Sequence, residues 1–234
     1  NDLYNGGAGI DTADFSAASG PITVNLTLGG AQNTGQGLDT FVAIENLIGS
    51  SFGDTFTGQN LVNRFDGGGG NDELRGGTGN DALNGDIGND LIVGDAGNDT
   101  INGGDGIDRL YGGTSNDTIF GGPGADAVIG GPGIDRVDGG DGADRLYADG
   151  TADTFVFQNA AGAGDRVFDF LTGVHRLEID ISVFGGTAGP FDLVQAATPN
   201  PISGAQTFLY DTDDGRLFFD ADGKLASVSG DVAA

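Results

Sequence analysis

The residue that could do chemistry in this chain is aspartate, because it returns at a fixed interval. In GGGGNDELRGGTGNDALNGDIGNDLIVGDAGNDTIN, residues 67 to 102, an Asp follows a glycine-rich run every nine residues and comes two positions before a large apolar side chain. A frame set at Gly49 continues through Val156 without insertion or deletion, giving twelve consecutive units. The sixth position holds Asp54, Asn63, Asp72, Asp81, Asp90, Asp99, Asp108, Asp117, Asp126, Asp135, Asp144 and Asp153. The eighth position is apolar in every unit: Phe56, Phe65, Leu74, Leu83, Ile92, Ile101, Leu110, Ile119, Val128, Val137, Leu146 and Phe155. Position seven is mixed and includes Arg64, Glu73, Thr100 and Arg109. The eighth side chain therefore points inward from a short strand while its neighbour faces water.

Those carboxylates need elements that hold them in line. A six-residue glycine turn followed by a three-residue strand reverses the chain once per unit, so two units make one flattened coil and eighteen residues return it to the same edge. This predicts an all-β solenoid. Glycine is required where the turn visits positive φ or where backbone packs on backbone. Asp72, Asp90, Asp108, Asp126 and Asp144 then stack along one edge, and Asp81, Asp99, Asp117, Asp135 and Asp153 along the other.

Successive coils lie about 4.8 Å apart, and two carboxylates at that spacing repel by roughly 3 kcal/mol in an effective dielectric near 20. Calcium resolves the conflict, because it takes about six to eight oxygens, carboxylate and carbonyl alike, at about 2.3 to 2.6 Å. One buried apolar side chain per unit does not offset the entropy of ordering nine residues. Metal binding is therefore expected to be coupled to folding. Four gaps in each five-Asp column imply about eight ions. Asp54 and Asn63 would add weaker sites against Asp72 and Asp81, and Asp11, in the good unit GGAGIDTAD at 6 to 14, one more.

Composition agrees with this division of labour. The chain of 234 residues has 47 Gly, no Cys, no Met and no Trp, with 37% apolar residues, so neither disulfides nor a thick core stabilise it. All but Glu45, Glu73 and Glu178 of its 35 acidic residues are Asp, the short carboxylate that stays close to its own turn. A net charge of -26 with nine Lys and Arg argues against a nucleic-acid or anionic-membrane surface. No run is long enough for a transmembrane helix.

The phrase G-G-x-G-x-D-x-U-x resembles the repeat-in-toxin (RTX) family, most strongly over residues 67 to 147 and more weakly at 49 to 66. The resemblance implies a parallel β-roll with calcium between turns, held by the sixth-position Asp and by turn carbonyls. The same Asp columns are nominated. The wording IENLIGSSFGDTFTG also resembles segments recurring among RTX-type proteins. NDLYN at residues 1 to 5 reads as the end of a repeat whose glycines lie upstream, so residues 1–14 are expected to close an upstream repeat block in a longer protein.

Residues 15–48 interrupt the frame with PITVNLTL, which alternates like a strand, the loop GGAQNTGQG, and DTFVAIENLIGS leading back; they read as a longer coil that continues the roll. Residues 49–156 are the roll. In residues 157–234 glycine thins and Phe rises, and DRVFDFL, RLEIDIS, FDLVQ, TFLYD, GRLFFDA and KLASVS predict an antiparallel β cap. This part, DRVFDFLTGVHRLEID above all, resembles the C-terminal flank of serralysin-type proteases and other type I secretion substrates, and the ending DVAA loosely matches their tails.

No catalytic assembly emerges. His175 is the only histidine, without a nucleophile motif, and is expected at the surface. No H-E-x-x-H zinc signature occurs. DTDDGR and DADGK fit hairpin turns better than calcium loops. Position three is too irregular for an ice-binding array. The expected function is a non-catalytic calcium-binding module that folds outside the cell and supports type I secretion and stability of a larger extracellular bacterial protein, with calcium and the type I machinery as partners. The competing readings are a segment of a surface adhesin or surface-layer protein, and the C-terminal part of a secreted hydrolase, lyase or epimerase with its catalytic domain upstream.

Overall fold

The computed structural model describes residues 1–157, 165–170, 174–179, 193–196, 207–211 and 217–220. Its strands form a parallel β-roll, and no helix occurs among the described residues. One sheet stacks Thr12–Asp14, Asn46–Ile48, Arg64–Gly69, Ala82–Ile87, Thr100–Asp105, Thr118–Gly124, Arg136–Gly142, Thr154–Phe157 and Arg176–Ile179. The facing sheet stacks Thr23–Asn25, Thr55–Thr57, Glu73–Thr78, Leu91–Ala96, Arg109–Thr114, Ala127–Ile129, Arg145–Tyr147 and Arg166–Phe168, all parallel. The register step is eighteen residues through the repeats, for example Leu83 to Ile101 and Ile92 to Leu110.

The eighth-position side chains form the core. Phe56, Phe65, Leu74, Ile92, Ile101, Leu110, Ile119, Val128, Leu146 and Phe155 are completely buried, with Leu83 and Val137 nearly so. The middle of this row is aliphatic. Aromatic groups gather at the ends, Tyr4, Phe15 and Phe41 at one and Phe155 and Phe170 at the other. A one-residue-wide core has no lateral partners at its last rungs, and large rings fill that space.

Two expectations are corrected. Thr55–Thr57, Ala127–Ile129 and Arg145–Tyr147 have the expected three residues, but the strands from Arg64–Gly69 to Arg109–Thr114 have six, because positions two and three resume pairing beyond the first-position glycine, as in Asp86 with Gly68 and Ile87 with Gly69. The strands placed at the start of an antiparallel cap instead continue the roll: Arg166–Phe168 pairs in parallel with Arg145–Tyr147, and Arg176–Ile179 with Thr154–Phe157. Antiparallel pairing begins only where Leu217–Asp220 meets Arg166–Phe168 and Thr207–Asp211. Leu193–Ala196 lies parallel to Thr207–Asp211. KLASVS and most of DTDDGR and DADGK lie outside the described residues.

Within residues 15–48, Thr23–Asn25 pairs with Thr55–Thr57, and Asn46–Ile48 joins Thr12–Asp14 to Arg64–Asp66. Part of the expected loop is a hairpin, with Gln32 and Asn33 antiparallel to Asp39 and Leu38. The buried Gln32 amide takes the place of a strand partner: its Oε1 accepts the Asn25 N–H at 2.7 Å and its Nε2 donates to the Asn25 carbonyl at 2.9 Å.

Gly88 has φ +150°, and a Cβ there would strike the Gly70 carbonyl of the preceding coil. Gly150 has open space around it. Gly88→Ala should destabilise the calcium-saturated roll by about 2 kcal/mol or more, whereas Gly150→Ala should be near neutral. Thermal melting of both variants checks this, and equal melting temperatures would contradict it.

Candidate metal centre

The sixth-position Asp is held by the neighbouring coil's backbone. In column one, the N–H of Asp54 donates to Asp72 Oδ1, Asp72 to Asp90, Asp90 to Asp108, Asp108 to Asp126 and Asp126 to Asp144, at 2.6 to 2.8 Å. Column two repeats the pattern from Asn63 through Asp81, Asp99, Asp117 and Asp135 to Asp153, at 2.7 to 3.1 Å. The carbonyl of the same residue accepts the N–H of the residue after the next Asp, as in Asp72 O from Leu91 N. Both columns are thus assembled as expected, and all ten principal Asp are buried to 3% exposure or less.

This bond uses only Oδ1. The Oδ2 atoms of Asp72, Asp81, Asp90, Asp99, Asp108, Asp117, Asp126, Asp135 and Asp144 are buried with no hydrogen-bond partner. A buried carboxylate oxygen without a partner carries a desolvation cost that a native fold ordinarily removes. A backbone carbonyl of the next coil approaches the same point. A Cβ built on Gly85 would collide with both Asp90 Oδ2 and the Gly103 carbonyl of the next coil, and the same pair of oxygens closes on Gly94, Gly103 and Gly112. The first-position glycine therefore keeps a gap in which a carboxylate oxygen and a carbonyl oxygen from adjacent coils converge.

No group of three or more Asp, Glu, His or Cys side chains suited to a metal occurs among the described residues. A cation in these gaps must draw on backbone carbonyls as well as carboxylates. That donor set, all hard oxygens of mixed type, fits calcium.

The weaker candidates differ. Asp54 has both oxygens engaged, Oδ1 by Ile22 N and Ser50 Oγ and Oδ2 by Ser50 N. Asn63 accepts from Gln59 N and donates to the Glu45 carbonyl. Asp11 keeps an unpartnered Oδ2 beside Gly6, while its N–H is held by Glu45 Oε2 at 3.0 Å. Asp153 is set apart from its column by Asp149 N and His175 at its Oδ2.

Two column members escaped the sequence frame. Asp165 Oδ1 accepts the Asp144 N–H at 2.9 Å, extending column one after a 21-residue rather than an 18-residue step. His175 extends column two: the Asp153 N–H donates to its Nδ1 at 3.3 Å. His175 is buried, not at the surface as expected, because it occupies a sixth position and packs against Phe155 and Phe170. The signal was present in the short phrases, since DRVF and HRLE copy DRLY of residues 144 to 147 in spacing.

Burial, opposed by the backbone hydrogen bond and reinforced by neighbouring Asp, pushes the carboxyls of Asp72, Asp117 and Asp126 up to about 7, and those of Asp81, Asp108 and Asp135 up to about 6. Asp144 and Asp165 face each other and both are raised, chiefly by burial. An unfolded Asp titrates near 4. The metal-free roll thus has its full protonation-linked stability below about pH 4 and loses it as pH rises through about 6 to 7.

A family model for the RTX calcium-binding nonapeptide repeat, four copies long, matches residues 57–92, 66–101, 93–128, 102–137 and 129–157. No curated protein matches the chain. In chelator, circular dichroism should show more strand at pH 4.5 than at pH 8, and with calcium present the affinity should fall on acidification because binding displaces protons. More strand at pH 8 in chelator would contradict the burial of these carboxylates. The matched segments contain the stacked Asp edges from Asn63 to Asp153: residues 57–157 match the RTX calcium-binding nonapeptide repeat and fold as a β-roll.

Proposed function

We propose that this roll is a calcium-gated folding module of a larger extracellular bacterial protein, carrying about eight calcium ions in the Asp72–Asp144 and Asp81–Asp153 columns, with a further step at Asp144 and Asp165. The observation that carries the reading is the row of nine buried Oδ2 atoms without partners. Calcium would supply charge neutralisation and would join two coils at once. The chain's own residues do the rest. The amide bond to Oδ1 aims each carboxylate, the first-position glycine keeps the gap open, and the eighth-position side chains exclude water from the inner side.

Without cations, the net charge of -26 and the one-residue-wide core oppose compaction. Such a chain remains threadable through a type I export channel in a low-calcium cytosol. Outside, the Asp columns and the carbonyls beside them would hold calcium at extracellular levels, whose charge would offset the repulsion between coils and let the roll close. Because the oxygens at each candidate site come from two coils, binding would spread cooperatively along the stack. The roll is a scaffold, and any catalytic or adhesive activity belongs to other parts of the parent protein. Among the described residues no helix is long and apolar enough to cross a membrane.

A calcium titration followed by circular dichroism tests the gate. The full chain should pass from largely unfolded in chelator to β-rich in a steep transition. Asp108→Asn keeps an oxygen for the Asp90 N–H but removes the charge, and should move the midpoint several-fold higher in calcium with a shallower slope. A roll fully formed in chelator, or an unshifted midpoint in this variant, would overturn the proposal. Raising cytosolic calcium in a host equipped with a type I exporter should block export, and unimpeded export would remove the secretory half of the reading.

A further inference from the structure

The two ends of the Asp columns are not built alike. Counting back nine residues from the first unit puts Glu45 at a sixth position and the fully buried Leu47 at an eighth, so the frame reaches one unit further upstream. Over residues 1–66 the sixth-position groups find protein partners instead of a gap. Ile22, an apolar residue, stands where column one would place an Asp: its N–H donates to Asp54 Oδ1 at 2.6 Å and its carbonyl accepts the Thr55 N–H. Asp54 Oδ2 accepts the Ser50 N–H, and the Ser50 hydroxyl donates to Oδ1. In column two Asn63 carries no charge, and its Nδ2 donates to the Glu45 carbonyl at 2.7 Å. Asp39 accepts the Asp2 N–H at 2.7 Å through Oδ1 and the Thr34 hydroxyl through Oδ2. Asp11 Oδ2 is the one buried carboxylate oxygen of this stretch without a partner, against nine from Asp72 to Asp144.

The core changes in the same place. Its buried side chains up to Phe65 include four phenylalanines, with ring centroids 6.1 Å apart for Phe15 and Phe41 and 5.7 Å apart for Phe56 and Phe65, whereas none from Leu74 to Leu146 is aromatic. Ile22 and Ile44 are buried as well, outside the eighth position. Large rings bury more apolar area than Leu or Ile, and a carboxylate with its partners in place carries no orphan cost. The far end is closed on one edge only. Asp153 Oδ2 is met by Asp149 N and His175, but Asp144, facing Asp165, keeps its Oδ2 without a partner.

We propose that residues 1–66 are a calcium-independent seed from which the calcium-dependent roll closes toward its C-terminal rungs, with Ile22, Ser50 and Asn63 freeing this end from the metal. The proposal rests on the calcium gate above and adds its direction. The seed presents the pairing edges that the repeats need, since Thr55–Thr57 pairs with Glu73–Arg75 and Arg64–Gly69 with Ala82–Ile87. Its amides also point forward. The N–H groups of Asp54 and Asn63 donate to Asp72 and Asp81 Oδ1 and so aim the first carboxylate of each column. Every later coil does the same for the next, so order passes one way along the chain. At 66 residues the seed is only marginally stable by itself, which lets it open during export.

Hydrogen exchange on the full chain, read by mass spectrometry at peptide resolution, tests the direction. In chelator the amides of residues 38–66 should exchange about tenfold more slowly than those of residues 67–147, and with calcium added in steps protection should spread from Glu73 toward Tyr147. Asn63→Asp keeps an oxygen but puts a charge into the seed; protection in chelator should disappear and should return in saturating calcium, which shows that the variant folds. Asn98→Asp makes the same change at an exposed turn and should leave the seed as in the parent. Equal exchange of the two regions in chelator, protection appearing first beyond Asp144, or the same response from both variants would overturn the seed and leave the calcium gate standing. Protection of residues 67–147 already in chelator would overturn the gate, and the seed with it.

Discussion

Everything in this roll depends on one hydrogen bond repeated along two edges: the N–H of a sixth-position residue to the Oδ1 of its counterpart one coil later. It fixes the carboxylate with one oxygen satisfied and the other aimed into a buried gap, where the nine unpartnered Oδ2 atoms lie. Asparagine or serine could accept the same bond without supplying a charge. Glutamate could reach it only by folding a longer chain back on itself. Near-exclusive use of Asp follows from a requirement to be short, charged and held by one oxygen.

The glycines serve the same gap. Gly68 and Gly88 turn the backbone through positive φ, and Gly85 and Gly103 leave the volume in which a carboxylate and a carbonyl face each other. Asp86 and Asp95 occupy the second position at φ 74° and 73° without glycine's freedom, which Asp tolerates better than most side chains. The core is correspondingly thin, with one inward residue per strand and no lateral neighbours. Hydrophobic burial sets the register, since a slip of one residue would turn every eighth-position side chain to water. It leaves the repulsion between charged carboxylates along the edges in place.

The repeating part of the fold was legible because nine-residue periodicity places side chains directly: Leu74, Ile92 and Leu110 inside, Asp72, Asp90 and Asp108 on one edge. The site was legible in its carboxylates but not in their satisfaction. That Asp54 is hydrogen-bonded by Ser50 and Ile22, and Asn63 by Gln59 and Glu45, depends on Ile22 and Glu45 from outside the frame and on a serine and a glutamine where most units have glycine. Asp165 and His175 were missed for a related reason. Longer turns break the eighteen-residue count, yet the strands that follow still pair in parallel. The length of the six-residue strands was underestimated because positions two and three, mostly glycine and polar or small residues, give no apolar alternation, although their backbones form ladder bonds.

The most direct measurement is a crystal structure of the calcium-saturated chain with anomalous scattering recorded to locate the metal. Peaks should lie in the gaps between coils, each within about 2.3 to 2.6 Å of an Asp Oδ2 and of a glycine carbonyl, as at Asp90 and Gly103. Gaps without peaks, with the Oδ2 atoms bonded to water or to protein donors, would contradict the assignment of these columns to calcium.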